Sequence, residues 1–207
     1  MRRTLVAVVS LCAALGLSGL GTAAAEPGSS PAGAPDGWQE IKGAQPAALA
    51  DGARADAANA QDPVAIQSVR NGGFATAEVN YAAPRTGVVR ARSANPGSWE
   101  TFDLVWDGTT ETYALKSRAN NRYVAVERNF TGSAKNVLRA RSTSAGAWER
   151  FSLWYNEELD RWAFRSELNG MFVAMENNYT GSLQYVLRAR SETVTGAWEE
   201  FNLYDRS

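Results

Sequence analysis

Histidine is absent from this 207-residue chain, and its single cysteine is Cys12. Without a histidine, Ser-His-Asp and Cys-His catalysis are excluded, as is metal or haem ligation by imidazole. Long apolar runs are also missing beyond the N-terminus. There, Arg2 and Arg3 precede an apolar stretch from Leu5 to Leu17, and the small residues Thr22-Ala-Ala-Ala25 follow. That order is the layout of a secretory signal peptide cleaved near Ala25, which predicts an extracellular protein. Ser10, Gly16, Ser18 and Gly19 interrupt the stretch, and no second one nears the roughly 20 apolar residues of a bilayer span, so no membrane anchor is expected. Cys12 would leave with the leader, and the mature chain would then hold no thiol, disulfide or thiolate nucleophile. An excess of either charge is missing too. The formal net charge is −1, and it becomes −3 without Arg2 and Arg3, so no global basic field draws the protein to nucleic acid.

Residues 26–62 are rich in Ala, Gly, Pro and Asp, with Trp38 and Ile41 as isolated apolar points. Such a segment cannot bury enough surface to offset its ordering entropy, and a disordered linker is expected.

What the chain does have is repetition. Val-Leu-Arg-Ala-Arg-Ser occurs at Val137–Ser142 and Val186–Ser191, with Val-Val-Arg-Ala-Arg-Ser at Val88–Ser93, each 49 residues from the next. Trp99-Glu100-Thr101-Phe102, Trp148-Glu149-Arg150-Phe151 and Trp198-Glu199-Glu200-Phe201 follow in step, the last displaced by one residue. Repetition at this period defines the architecture before any single residue is read. Within each unit, short period-two runs are separated by Gly, Asn and Ser clusters, which is the pattern of strands. In the second unit these are Tyr113–Ser117, Tyr123–Arg128, Val137–Ser142 and Trp148–Trp154. Leu138 and Ala140 point to a buried face, Arg139 and Arg141 to a wet one. Three units of four strands are too few for a propeller. They predict an all-β protein, a β-trefoil of three pseudo-symmetric four-strand repeats over residues 63–207. The repeats are expected at about 63–109, 110–158 and 159–207.

The runs Gly73-Phe-Ala-Thr-Ala-Glu78, Arg122-Tyr-Val-Ala-Val-Glu127 and Met171-Phe-Val-Ala-Met-Glu176 resemble the fascin-like β-trefoil repeat. That repeat has an aromatic-led strand ending in Glu, then a Leu-x-Ala strand, then Trp-Glu-x-Phe. The first copy departs most, with Ala82-Ala83-Pro84 where the others read Thr131-Gly132-Ser133 and Thr180-Gly181-Ser182. The Gln-x-Trp signature of ricin-type trefoils and the disulfides of Kunitz-type inhibitors are both absent. The resemblance implies a secreted binding module for a polysaccharide.

The candidate ligand residues form a triplicated cluster: Glu78, Asn80 and Tyr81; Glu127, Asn129 and Phe130; Glu176, Asn178 and Tyr179. Each lies where a strand gives way to a loop, and loops on rigid scaffolds carry binding. A carboxylate, an amide and an aromatic face are the parts a pyranose requires. The same residues suit a plain turn, in which Asn adopts left-handed geometry and the aromatic tucks under the loop. Both readings stand on the sequence. Asn129-Phe130-Thr131 and Asn178-Tyr179-Thr180 also match the glycosylation pattern, a match that coincides with the repeated turn. Trp99, Trp148 and Trp198 suit either sugar platforms or core and barrel-floor packing, and packing is the expectation. Glu100, Glu149 and Glu199 are expected to pair with arginines. The arginine pairs Arg90/Arg92, Arg139/Arg141 and Arg188/Arg190 suit either local charge balance or an anionic ligand.

Three function classes follow. The first is a monomeric, non-catalytic module with up to three equivalent sites for a polysaccharide or oligosaccharide, such as a β-glucan or related cell-wall glycan, and no cofactor. The second is a small glycoside hydrolase using two carboxylates. The third is an inhibitor or protein-interaction trefoil. Against the second, the acids that stand out are symmetric, whereas hydrolysis needs two unlike environments.

Overall fold

The computed structural model describes residues 34–43 and 61–207. A short strand, β1 (Gln39–Ile41), comes first, and each repeat then supplies four strands. In the first repeat they are β2 (Gln61–Ser68), β3 (Phe74–Glu78), β4 (Val88–Ser93) and β5 (Thr101–Asp107). The second repeat holds β6 (Thr112–Ser117), β7 (Arg122–Val126), β8 (Leu138–Ser142) and β9 (Arg150–Asn156). The third holds β10 (Arg161–Ser166), β11 (Phe172–Met175), β12 (Leu187–Ser191) and β13 (Phe201–Asp205). The expected four-strand units are therefore present, with ends moved by one or two residues. Among the described residues no helix is long and apolar enough to cross a membrane.

The outer strands of every repeat close a ring. β2 pairs with β5, β5 with β6, β6 with β9, β9 with β10, β10 with β13, and β13 with β2, all antiparallel. Closure leaves this six-stranded barrel without an exposed edge. Alternation along the strands decides what fills it. Phe102, Phe151 and Phe201 point inward from β5, β9 and β13, together with Leu104 and Leu153. Val64, Tyr113 and Trp162 correspond in the three repeats, as do Ile66, Leu115 and Phe164, and all are buried. Each such side chain stabilises the fold by roughly 1.5–3 kcal/mol.

The inner strands form hairpins, β3–β4, β7–β8 and β11–β12, each with a bulge at the same repeat position (after Phe74, Tyr123 and Phe172). The hairpins meet around a pseudo-threefold axis. Val88 pairs with Arg139, Val137 with Arg188, and Arg90 with Val186. Gly87, Asn136 and Tyr185 occupy equivalent positions there and all have positive φ, at 83°, 62° and 61°. Their carbonyls accept the backbone N–H groups of Ala140, Ala189 and Ala91 in turn, so each repeat hands one bond to the next. A Cβ on Gly87 would fall 2.4 Å from the Ala140 carbonyl oxygen, which explains the glycine.

The linker reading is corrected at two places. β1 pairs with β9, Gln39 opposite Tyr155 and Ile41 opposite Leu153. Trp38 is buried against Trp154, Ala163 and Phe172. The Tyr113 hydroxyl donates to the Gly43 carbonyl at 2.6 Å, and burial, reinforced by nearby Asp62, pushes its pKa well up. β2 also begins at Gln61 rather than residue 63. Local composition missed this segment because its partners lie more than a hundred residues away. The rest of the expected linker, and the signal peptide expected over 1–25, lie outside the described residues.

Candidate functional site

At the hairpin end the sequence places three equivalent stations. In the second, Glu127 follows β7, and register sets it beside Arg139 and Arg141 of β8. Arg139 donates from Nη1 to Glu127 Oε1 at 3.2 Å and from Nε to the Thr86 carbonyl of the preceding repeat at 2.7 Å. Arg141 Nε donates to the same Glu127 oxygen. The third station matches: Arg188 and Arg190 hold Glu176, and Arg188 Nε reaches the Lys135 carbonyl at 2.6 Å. The first closes the circle, with Arg90 and Arg92 on Glu78 and Arg90 Nε on the Gln184 carbonyl at 2.6 Å. The hydrogen bond from Arg92 to Glu78 raises the pKa of that guanidinium further, keeping it charged.

This geometry separates the three members of the predicted cluster. Glu78, Glu127 and Glu176 are only 2%, 4% and 7% exposed. With two guanidiniums on each, they anchor the hairpins and are not presented to a sugar hydroxyl. Tyr81, Phe130 and Tyr179 are half-buried. Phe130 and Tyr179 flank the axis cluster of Val88, Val137, Leu183 and Val186. The hydroxyls of Tyr81 and Tyr179 accept from Arg90 and Arg188. Phe130 has no hydroxyl for the equivalent Arg139. Asn80, Asn129 and Asn178 are exposed on the loop crests.

In the first station, two members of the cluster meet in a hollow. Asn80, Tyr81, the Ala82-Ala83-Pro84 turn, Arg85 and Ser182 line a cavity of about 590 Å³ beside the axis, within the range of small-ligand pockets. Arg85 donates to Ser182, tying the first repeat's loop to the third's. The copy that departs most in sequence is thus the one whose amide and aromatic share a concavity.

Two further expectations are corrected. Trp99, Trp148 and Trp198 are half-buried and lie outside the hydrophobic core clusters. The Arg141 guanidinium lies 5.5 Å from the Trp148 ring centroid, and Arg70 lies 4.6 Å from that of Trp198. Each sits inside a tight turn: Glu100, Glu149 and Glu199 donate their N–H to the carbonyls of Gly97, Gly146 and Gly196, and the Phe beyond, not the Trp, fills the barrel. The carboxylates of these glutamates satisfy their own turns, with no arginine partner among the described residues. Glu100 and Glu149 accept from Gly97 and Gly146 N–H at 2.9 and 2.8 Å, and Glu199 from Ser191 Oγ at 2.6 Å.

Sequence reasoning also missed Asn71, Asn120 and Asn169. Their Nδ2 groups donate to the carbonyls of Ala91, Ala140 and Ala189 at 2.8, 2.9 and 3.0 Å. Their Oδ1 atoms accept from the N–H two residues on, locking each β-turn to its inner strand. The signal was the 49-residue recurrence of an asparagine ahead of each aromatic-led strand.

No protein-family model matches the chain, and no curated protein sequence does. Solved structures do. The designed threefold-symmetric protein ThreeFoil superposes with a TM-score of 0.57 at 19% identity, over 70% of this chain and 99% of that one. The fold is a β-trefoil. A Polyporus squamosus lectin matches the trefoil at 0.53 and 15% identity, over 70% of this chain and 49% of the lectin. An endo-β-galactosidase from Clostridium perfringens matches it at 0.54 and 12%, over 70% of this chain and 33% of the enzyme. Identities this low establish the trefoil architecture alone.

Proposed function

We propose that this protein is a secreted, non-catalytic carbohydrate-binding trefoil of the fascin-like kind, recognising a β-glucan or related cell-wall polysaccharide. The observation that carries the reading is the hollow at the axis end, which Asn80 lines with an amide and Tyr81 with an aromatic ring. A pyranose would stack a C–H face on Tyr81, worth about 0.5–1.5 kcal/mol, and hydrogen-bond to Asn80 through its hydroxyls. Asn129 with Phe130, and Asn178 with Tyr179, stand at equivalent places around the axis and offer weaker secondary contacts. Relatives in fold support the class: the Polyporus lectin is bound to Neu5Acα2-6Galβ1-4GlcNAc, and the Clostridium enzyme releases GlcNAcα1-4Gal.

The recurrent carboxylates support the non-catalytic reading. Six recurrent glutamates are buried in two symmetric sets, one held by arginines and one by turn donors. Neither set provides two acids in unlike environments. The test is a pull-down on insoluble polysaccharide, β-glucan first, with the wild type and an Asn80→Ala/Tyr81→Ala variant. Retention of the wild type, loss in the variant and no reducing sugar released are expected. Equal retention would overturn the site, and released sugar the non-catalytic reading.

A further inference from the structure

A second hollow, of about 470 Å³, lies where the second repeat meets the third. Its rim carries Arg128, Lys135, Arg188 and Arg190, and its floor includes Leu168 and Met171. Among the described residues, the carboxylate paired with these cations is Glu176, held by Arg188 and Arg190. Four cations against one carboxylate leave a concentrated positive charge on a chain whose formal net charge is negative. Concave placement focuses that field toward an incoming anion.

The repeats show what is special about this junction. Arg128 corresponds to Val79 and Asn177, and Lys135 to Thr86 and Gln184. At the first–second junction Ala119 and Arg122 stand at the places of Leu168 and Met171, and at the third–first Arg70 and Gly73 do, with Arg70 over Trp198. The second–third junction therefore has four cations where the others have three, and it alone has large apolar side chains at both of those places. Its walls are fixed. The Lys135 carbonyl holds Arg188 Nε at 2.6 Å, and Asn169 ties the β10–β11 turn to the Ala189 carbonyl at 3.0 Å. Lys135 and Arg128 are exposed, with neither side chain engaged by an acid among the described residues.

We propose that this hollow binds an acidic pyranose, a uronate or sulfated residue of a polysaccharide. The carboxylate or sulfate meets Arg128 and Lys135, and the C–H face of the ring packs on Leu168 and Met171. A bare oxyanion would leave the apolar floor unused, and a neutral sugar would leave Arg128 and Lys135 without a partner. The assignment rests on the glycan-binding reading for its ligand class, but it uses a different set of residues.

The experiment is calorimetry with oligogalacturonate and, separately, a sulfated dextran oligosaccharide. It compares the wild type, Arg128→Gln/Lys135→Gln and Asn80→Ala/Tyr81→Ala. Both positions of the first variant are exposed, so folding is retained and is checked by circular dichroism. The inference expects wild-type binding to at least one acidic probe, weakened about tenfold or more by Arg128→Gln/Lys135→Gln and by raising salt from 50 to about 500 mM. That weakening, together with binding kept in Asn80→Ala/Tyr81→Ala, supports it, whatever the latter variant does to β-glucan retention. Full binding in Arg128→Gln/Lys135→Gln would overturn the inference, and loss in Asn80→Ala/Tyr81→Ala beside it would place the acidic sugar in the other hollow. A wild type that binds neither probe would overturn it as well.

Discussion

Replacing Glu127 by glutamine tests whether the repeated glutamates anchor the fold or greet a ligand. The change keeps shape and removes only the charge. In the folded protein the Glu127 side chain is 5% exposed and accepts from Arg139 and Arg141, whose side chains are 18% and 34% exposed. Both bonds go to one oxygen, which the amide can keep as a carbonyl, but each loses its anionic acceptor and falls from roughly 1.5–3 kcal/mol toward about 1 kcal/mol. Because Arg141 is one-third exposed, water recovers part of the loss, and a net cost of about 2 kcal/mol is expected. Urea unfolding at constant slope should show the midpoint shift. The matched change Glu157→Gln, on an exposed turn, should stay within about 0.5 kcal/mol. A loss below about 0.5 kcal/mol at Glu127, on the scale of a surface pair, would refute the anchoring argument. Abolished glycan binding at unchanged stability would restore Glu127 as a ligand residue.

Two further substitutions follow from the same geometry. Trp38→Ala should cost about 3–5 kcal/mol in urea unfolding, since it empties the space beside Trp154 and Phe172, and a cost under 1 kcal/mol would mean the N-terminal strand is not docked. Phe130→Tyr should stabilise by about 0.5–1.5 kcal/mol, because it restores to Arg139 the acceptor that Tyr179 gives Arg188 at 2.6 Å, and destabilisation would show that the second station is not equivalent.

Much of the fold was legible because repetition averages out local ambiguity. Leu138 and Ala140 between arginines read as a strand only weakly, but the same alternation at Val89–Arg92 and Leu187–Arg190 made the pattern unmistakable. Threefold closure followed from the count of strands. What stayed hidden was direction and distance. A glutamate ending a strand has the same sequence whether it faces water or two arginines, and only the pairing of β7 with β8 decides. Trp148 lies in a turn closed by a backbone bond from Glu149 to Gly146, which period-two reasoning does not see. Trp38 looked isolated because burial is supplied by β9, a strand distant in the chain. Of the candidate site, the loop position was readable, and the sharing of one hollow by Asn80 and Tyr81 required the neighbouring repeat's Ser182.

The central claim is that one rigid threefold body binds glycan weakly at each contact and firmly to a polymer. The most direct measurement compares retention on insoluble cell-wall polysaccharide with calorimetry on the matching soluble oligosaccharide. The predicted result is weak oligosaccharide binding with polymer retention stronger by about 10²–10⁴, lost in Asn80→Ala/Tyr81→Ala. No retention on any polysaccharide, or retention unchanged in that variant, would contradict it.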